Sequence, residues 1–304
     1  MNGEKTARRR LAALPGFTAS GAEQARLTRL EGLTNSVFKV ETDGEALCLR
    51  IPGHGTEAIV DRRREEVNAR AAAAIGVTPE IVHFGEDGVM LTRFVAGAPL
   101  TPERLSENPG ALERAATALR TLHQSAASFA GVFKAFETID AYVALLGERG
   151  AALPARHRKA LAFAGPARSA LGTHPAKLRP CHCDPTGRNL IDTGERVWLV
   201  DWEYAAMNDP AWDLAYFSLL SGLDETADGA LLTAYFGRRP RAAERARVAV
   251  TKAACELLAA TWALVQEAQG NRVADFRGYA ERVFAQAAER MAAPAFAKNL
   301  QALR

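Results

Sequence analysis

Cysteine is scarce in this 304-residue chain: Cys48, Cys181, Cys183 and Cys255 stand at irregular spacing. So few exclude the dense disulfide framework of a small secreted scaffold. Cys181, His182 and Cys183 suggest a zinc site, but no second ligand pair follows at a spacing that completes a tetrahedron. Buried free thiols are the simpler reading. Charge of one sign is also lacking, since 38 basic and 35 acidic residues leave a net charge of +3. That is too mild to argue for a nucleic-acid partner. The one dense basic run, Arg8-Arg9-Arg10, reads as a solvated helix face. To open a secretory leader it needs an apolar stretch of about 7–15 residues next, and the run from Leu11 is cut by Pro15-Gly16. No segment approaches the ~18 uninterrupted apolar residues of a membrane span. These absences predict a cytoplasmic protein with no membrane insertion. Internal repeats and low-complexity linkers are absent as well.

What is present is an ordinary globular balance, 48% hydrophobic and 24% charged, on a chain long enough for two lobes. Residues 22–30 suggest a short amphipathic element leading to a turn at Gly32. Val37 to Glu41 then alternates apolar and polar, as a half-buried strand does. Asp43-Gly44 supplies hairpin-turn chemistry, and Ala46 to Ile51 forms the return strand. A helical pattern covers 60–75 and stops at Gly76, and two short strands follow around 81–85 and 89–94. Beyond Val95 to Pro99 the texture changes. Thr101-Pro102 begins a helix with a hydroxyl cap and a first-turn proline. Helical periodicity then dominates over 110–128, 154–171, 210–221, 225–236, 240–269 and 272–292, broken by one hairpin at 189–201. The pattern predicts an α+β chain: a small antiparallel β-sheet lobe with one helix over residues 1–96, then a large, mainly helical lobe over 97–304.

The chemistry is concentrated in His182-Cys183-Asp184-Pro185-Thr186-Gly187-Arg188-Asn189, with Asp201-Trp202-Glu203 twelve residues after Asn189. Phosphoryl transfer needs one carboxylate to orient the attacking hydroxyl and accept its proton. It also needs oxygen ligands that hold Mg²⁺ against the phosphates. Asp184 fits the first role. Asn189 and Asp201 fit the second, because a tight hairpin returns the chain between them. The H-x-D-x-x-x-x-N spacing is common by itself; an Asp after the apolar strand Val197 to Val200 makes it specific. The competing reading is that Asp184 and Asp201 are turn residues capping helices.

The segment Asp201-Trp202-Glu203-Tyr204-Ala205-Ala206-Met207-Asn208-Asp209-Pro210, continuing to Ala215, resembles the choline/ethanolamine kinase family. That family lies within the aminoglycoside phosphotransferase-like group, which shares the bilobal protein-kinase fold. The likeness extends to Gly32-Leu33-Thr34-Asn35, to Leu49-Arg50-Ile51-Pro52-Gly53, and to Arg62, Glu65 and Asn68. It implies ATP and Mg²⁺ as cofactors and several roles for this chain's residues. Thr34, Asn35 and Ser36 belong to the turn that covers the phosphates. Arg50 stands where kinases usually carry a lysine, with a catalytic role on the phosphates; a surface strand arginine is the plainer alternative. Glu65 pairs with Arg50, although the adjacent Glu66 also competes. Arg93, Phe94 and Val95 offer hinge backbone groups to adenine. Glu203 supports Asp201 or the metal, Asp213 buttresses the catalytic loop, and His182 and His123 are structural.

For a quaternary ammonium acceptor such as choline, recognition must come from aromatic faces and nearby carboxylates. The resemblance directs attention to Trp202, Tyr204, Trp212 and Trp262 around Asp184, with Tyr279 a further candidate, although any of these can be core. Aromatic residues total only 7%, so their grouping here is informative. Two departures from the family pattern bear on the acceptor. Arg188 replaces an acidic residue, and Gly187 stands where many relatives carry proline. Ethanolamine, thiamine, an aminoglycoside or another amino alcohol therefore remain alternatives, as does a nucleotide-binding pseudokinase. Oligomeric state is not legible.

Overall fold

The computed structural model describes residues 2–30, 32, 35–53, 60–151 and 153–303. Thr34, one of the residues expected at the phosphates, lies outside the described residues. Two helices, α1 (Asn2–Ala12) and α2 (Ala19–Gln24), precede a five-stranded antiparallel sheet. Its strands are β1 (Arg26–Leu30), β2 (Ser36–Thr42), β3 (Glu45–Ile51), β4 (Ile81–Phe84) and β5 (Met90–Arg93), ordered β1-β2-β3-β5-β4. Helix α3 (Arg62–Ala74) lies between β3 and β4 in the chain. The sheet lobe thus carries more than the one helix expected, and the element expected over 22–30 is divided between the end of α2 and β1.

The hairpin is as its residues dictate. Thr42 pairs with Glu45, so Asp43-Gly44 is a two-residue loop, and Gly44 takes the positive φ of 97° that such a loop requires. Strand periodicity then sorts the side chains of β3. Leu47, Leu49 and Ile51 join Phe38 and Val40 in a core closed by Ala7 and Leu11 from α1 and by Leu14 from the turn after it. Cys48 and Arg50 therefore face the opposite way, toward the second lobe.

The second lobe begins with β6 (Ala98–Pro99) and four helices, α4 (Pro102–Glu107), α5 (Pro109–Gln124), α6 (Ala135–Glu148) and α7 (Ala155–Phe163), followed by α8 (Gly165–Thr173). The short strands β7 (Arg179–Cys181), β8 (Leu190–Asp192), β9 (Val197–Leu199) and β10 (Ala206–Asn208) come next. They form two small antiparallel sheets, β6-β8-β9 and β7-β10. Five helices close the fold: α9 (Pro210–Leu220), α10 (Glu225–Phe236), α11 (Ala242–Ala268), α12 (Phe276–Ala292) and α13 (Pro294–Ala302). Helix α11, at 27 residues, is long and apolar enough to cross a membrane, yet 83% of its apolar window is buried inside the protein. It packs against α6, α9, α12 and α13 as the axis of the helical lobe. The single helix expected over 154–171 is two, broken at Ala164-Gly165.

Candidate active site

Helix α3 starts at Asp61, whose side chain accepts the Arg64 N–H at 3.0 Å as an N-cap. From there Glu65, Asn68, Ala69 and Ala72 recur at helical spacing and form its buried face. Asn68 ties that face to the second lobe, donating to the Ala205 carbonyl at 2.7 Å and accepting the Ala130 N–H at 2.6 Å. Glu65 is thereby held under β3, where it forms a buried ion pair with Arg50. Glu66 turns outward and pairs with Arg70 at 2.8 Å. Arg50 also donates to Asp201 Oδ1 at 2.8 Å and to the Gly88 carbonyl at 3.1 Å. Burial opposes its charge, but Glu65 and Asp201 hold its pKa above the ordinary arginine value. Its Nε is buried and has no hydrogen-bond partner among the described residues.

Asn35 reaches across the cleft, its Nδ2 donating to Asp201 Oδ2 at 3.2 Å and to Glu203 Oε2 at 3.3 Å. Gly32 lies close against it: a Cβ on Gly32 collides with the Asn35 carbonyl. Ser36 starts β2, opposite Ile51. Arg62 bridges Glu65 at 2.7 Å and Glu203 at 3.4 Å. Glu203 is pushed up to about 7 by burial and by the neighbouring Asp201 charge, with Arg50 pulling the other way.

The catalytic-loop residues converge on the same place from below. Asn189 sits in a short 3₁₀ turn (Gly187–Asn189), and its Nδ2 donates to Asp184 Oδ2 at 3.0 Å and to the Asp184 carbonyl at 2.9 Å. That leaves Asn189 Oδ1 as the amide atom suited to a cation. Asp184 is half-buried at the cleft floor. Burial and the charges of Asp201 and Glu203 push its carboxyl well above the usual range, opposed by hydrogen bonds from Tyr216 and Asn189. The departure at Gly187 has a packing reason, because a Cβ there collides with the Leu100 carbonyl, and the Gly187 carbonyl accepts the Leu100 N–H at 2.8 Å. Arg188 is exposed at the cleft margin.

Two residues take the left-handed backbone region that favours glycine, Cys183 in the loop at φ +65° and Asp201 after β9 at φ +67°. Such residues cluster at functional sites and persist only when their surroundings hold them. Here Asp213 accepts the His182 and Cys183 N–H groups at 2.7 and 2.9 Å. The His182 ring reaches the Val200 carbonyl at 2.9 Å, and burial lowers its pKa, which favours the neutral ring. Burial pushes the Cys181 and Cys183 thiols well above their usual range, so both stay protonated.

Between the lobes lies a cleft of about 1170 Å³ that Asn35, Arg50, Asp184, Asn189, Asp201 and Glu203 all line. Arg93, Phe94 and Val95 also line it. The Arg93 and Phe94 N–H groups are committed to Glu80 and Ala46, each at 3.0 Å. Tyr204, Trp262 and Tyr279 line it as well, together with Tyr142, Tyr216 and Phe276, and the Asp184 charge reaches Tyr204, Tyr216 and Tyr279. Trp202 and Trp212 are only 1% and 3% exposed. Trp202 is packed edge-on to Phe129 and gives its indole N–H to Thr78 at 3.1 Å. Trp212 gives its own to the Cys183 carbonyl at 2.9 Å and stacks on Tyr216. Both tryptophans support the loop; Trp202 borders the cleft with almost no exposed surface, and Trp212 is not among its lining residues. Sequence reasoning did not single out Tyr142 or Tyr216. The signal for Tyr216 was its i, i+4 spacing from Trp212; Tyr142 lies on α6, a helix not recognised from the pattern.

A profile of the phosphotransferase enzyme family matches residues 26–250. Protein LicA of Haemophilus influenzae is 28% identical over 205 residues, which cover 67% of this chain and 60% of that protein's length. A choline/ethanolamine kinase family protein from Mesorhizobium loti superposes with a TM-score of 0.90 at 45% identity, covering 99% of both chains. Choline kinase LicA from Streptococcus pneumoniae shares the fold, with a TM-score of 0.80 at 24% identity over 96% of this chain and 99% of that one.

Proposed function

The chain belongs to the phosphotransferase enzyme family, on its choline/ethanolamine kinase-like branch, and we propose that it transfers the γ-phosphate of ATP to the hydroxyl of choline. One observation carries the reading: Asp184, Asn189 and Asp201 meet in a cleft beside the Arg50–Glu65 ion pair, with an aromatic chamber adjoining Asp184.

In this reading the adenine lies at Arg93 to Val95, where the Val95 N–H has no backbone acceptor among the described residues. The phosphates lie under Asn35 and Ser36, with Arg50 contributing charge and its unpartnered Nε. Asp184, oriented by Asn189, directs the acceptor hydroxyl in line with the γ-phosphorus. As the alcohol oxygen bonds to phosphorus, the bond to the bridging oxygen breaks and ADP leaves with that electron pair. Asp184 takes the hydroxyl proton, and its raised pKa suits that task. Asp201, Glu203 and Asn189 Oδ1 form a hard oxygen donor set that fits Mg²⁺. Bound there, the ion neutralises charge on the phosphate oxygens.

A trimethylammonium group has no hydrogen to donate, so aromatic faces suit it better than a ring of acids. Tyr142, Tyr204, Tyr216, Trp262 and Tyr279 provide such faces near Asp184. Trp202 and Trp212, by their burial, support this chamber from behind. The names of the relatives point the same way. A steady-state assay with ATP, Mg²⁺ and a panel of choline, ethanolamine, thiamine and an aminoglycoside tests the acceptor. Choline is expected to give the highest kcat/KM, and Trp262→Ala to raise its KM about tenfold or more, the scale of a desolvated cation–aromatic contact. Choline turnover no better than that of an unrelated alcohol removes it as the substrate. Asp184→Asn is expected to lower kcat by about 10²–10⁴-fold while ATP still binds, and full activity in that variant rejects the base assignment.

A further inference from the structure

Asp213 is fully buried, and the two loop amides do not exhaust what its carboxylate receives. His123 Nε2, from α5, lies 2.9 Å from Asp213 Oδ2. On the far side of the same ring, His123 Nδ1 lies 2.9 Å from the Tyr235 hydroxyl on α10. The Asp213 carboxylate, already accepting two backbone N–H groups, accepts from the ring as well, so Nε2 carries a proton. In the neutral ring Nδ1 is then an acceptor, and the Tyr235 O–H donates to it. Burial keeps that hydroxyl protonated. With the ring neutral, the hydrogen bonds run in one direction: Tyr235 to His123, and His123 to Asp213, which also receives the His182 and Cys183 amides.

The amide that Asp213 grips belongs to Cys183, whose backbone is in the left-handed region and which immediately precedes Asp184. A peptide unit held in that conformation sets the direction in which Asp184 leaves the loop. If His123 took the other tautomer, a lone pair would face the carboxylate, and the grip would weaken without a core contact being lost.

We propose that Tyr235 is a positioning residue for phosphotransfer: its hydroxyl fixes the tautomer of His123, which keeps Asp213 clamped on the catalytic loop and Asp184 aimed at the acceptor. Helix α10 contributes no residue to the cleft lining, so the effect reaches the reaction only through α5 and the loop. The inference rests on the reading of Asp184 as the base.

The test is Tyr235→Phe, which removes the oxygen and retains the ring packed edge-on to Phe236. Its kcat is expected to fall about tenfold, the lower end of what loss of an outer-shell partner costs, with KM for ATP and acceptor unchanged. Exchange of the His182 and Cys183 amide hydrogens, followed by NMR without substrates, is expected to accelerate. His123→Gln, whose side-chain amide can donate to Asp213 without a tautomer to choose, is expected to abolish the effect of Tyr235→Phe on kcat. Unchanged kcat with unchanged exchange of those two amides overturns the proposal. So does an equal loss from Tyr235→Phe in the His123→Gln background, because the hydroxyl would then act by another route. A wild-type protein inactive toward every acceptor refutes the base assignment instead, and the exchange measurement still decides whether Tyr235 holds the loop.

Discussion

Glu203 is enclosed beside Asp201 and reached by Asn35 and Arg62, so its proton reports on the metal-free phosphate site. With its carboxyl pushed up to about 7 from 4.5, the folded protein holds a proton there that the unfolded chain has already released between those pH values. Stability therefore declines as pH rises through that window, by up to about 1.4 kcal/mol for each pH unit crossed. In metal-free buffer, Glu203→Gln is expected to remove that decline. A thermal midpoint that falls from pH 5 to pH 8 in the wild type should be flatter in the variant, and parallel profiles reject the assignment of the proton to Glu203. At this scale the reach of the sequence was uneven. The spacing of Asp184, Asn189 and Asp201 was legible because the chemistry demands those side chains within a short loop and hairpin. Which aromatic residues face the cleft was not. Trp202 and Trp212 flank the metal segment in sequence just as Tyr204 does, but a side chain's direction there depends on turns with positive φ that residue type does not announce.

Among the elements, α3 and β3 depend on each other through one contact. Arg50 is presented to the cleft by strand alternation and Glu65 by helical periodicity, and their pairing buries two charges. Removing one partner of such a pair leaves the other uncompensated and costs about 3–5 kcal/mol. Glu65→Gln is expected to destabilise the protein on that scale and to raise KM for ATP. Glu66→Gln, which loses only a surface pair, should stay within about 0.5 kcal/mol. Denaturant unfolding of the two variants separates them, and similar losses from both would reject the pairing. Periodicity also settles why some elements were readable. The β2–β3 hairpin has clean alternation around Asp43-Gly44, and α3 has its cap at Asp61. Helix α6 follows Lys134, which gives it no side-chain cap, and this deprives it of a start signal; α13 lacks such a cap as well and has only Pro294 to mark its first turn. Strands β7 and β10 span only three residues each and pair Cys181 with Ala206, a partnership set by the tertiary fold and too short to show alternation.

Over the whole molecule, the two lobes meet through polar contacts around the phosphate site. Arg50 and Asn35 reach from the sheet lobe to Asp201, Asn35 and Arg62 reach to Glu203, and Asn68 reaches to Ala205. The carboxylates of Glu65, Asp184, Asp201 and Glu203 outnumber the guanidiniums of Arg50 and Arg62. A nucleotide without a cation adds anionic charge to an already acidic cluster, whereas a nucleotide with Mg²⁺ brings the missing positive charge. Ligand that binds only the folded state stabilises it by about 2.7 kcal/mol at one hundred times its dissociation constant, or roughly 5 °C for a chain of this size. ATP with Mg²⁺ is therefore expected to raise the thermal midpoint by several degrees, and ATP with EDTA by much less. Asp201→Asn replaces one carboxylate oxygen of the metal set with an amide nitrogen and weakens one of the anchors of Arg50. In that variant the increment due to Mg²⁺ should vanish while the increment due to ATP alone persists or grows. An Mg²⁺ increment that survives intact places the cation elsewhere, and the assignment of Asp201 as its ligand would then fail even if the enzyme remained active.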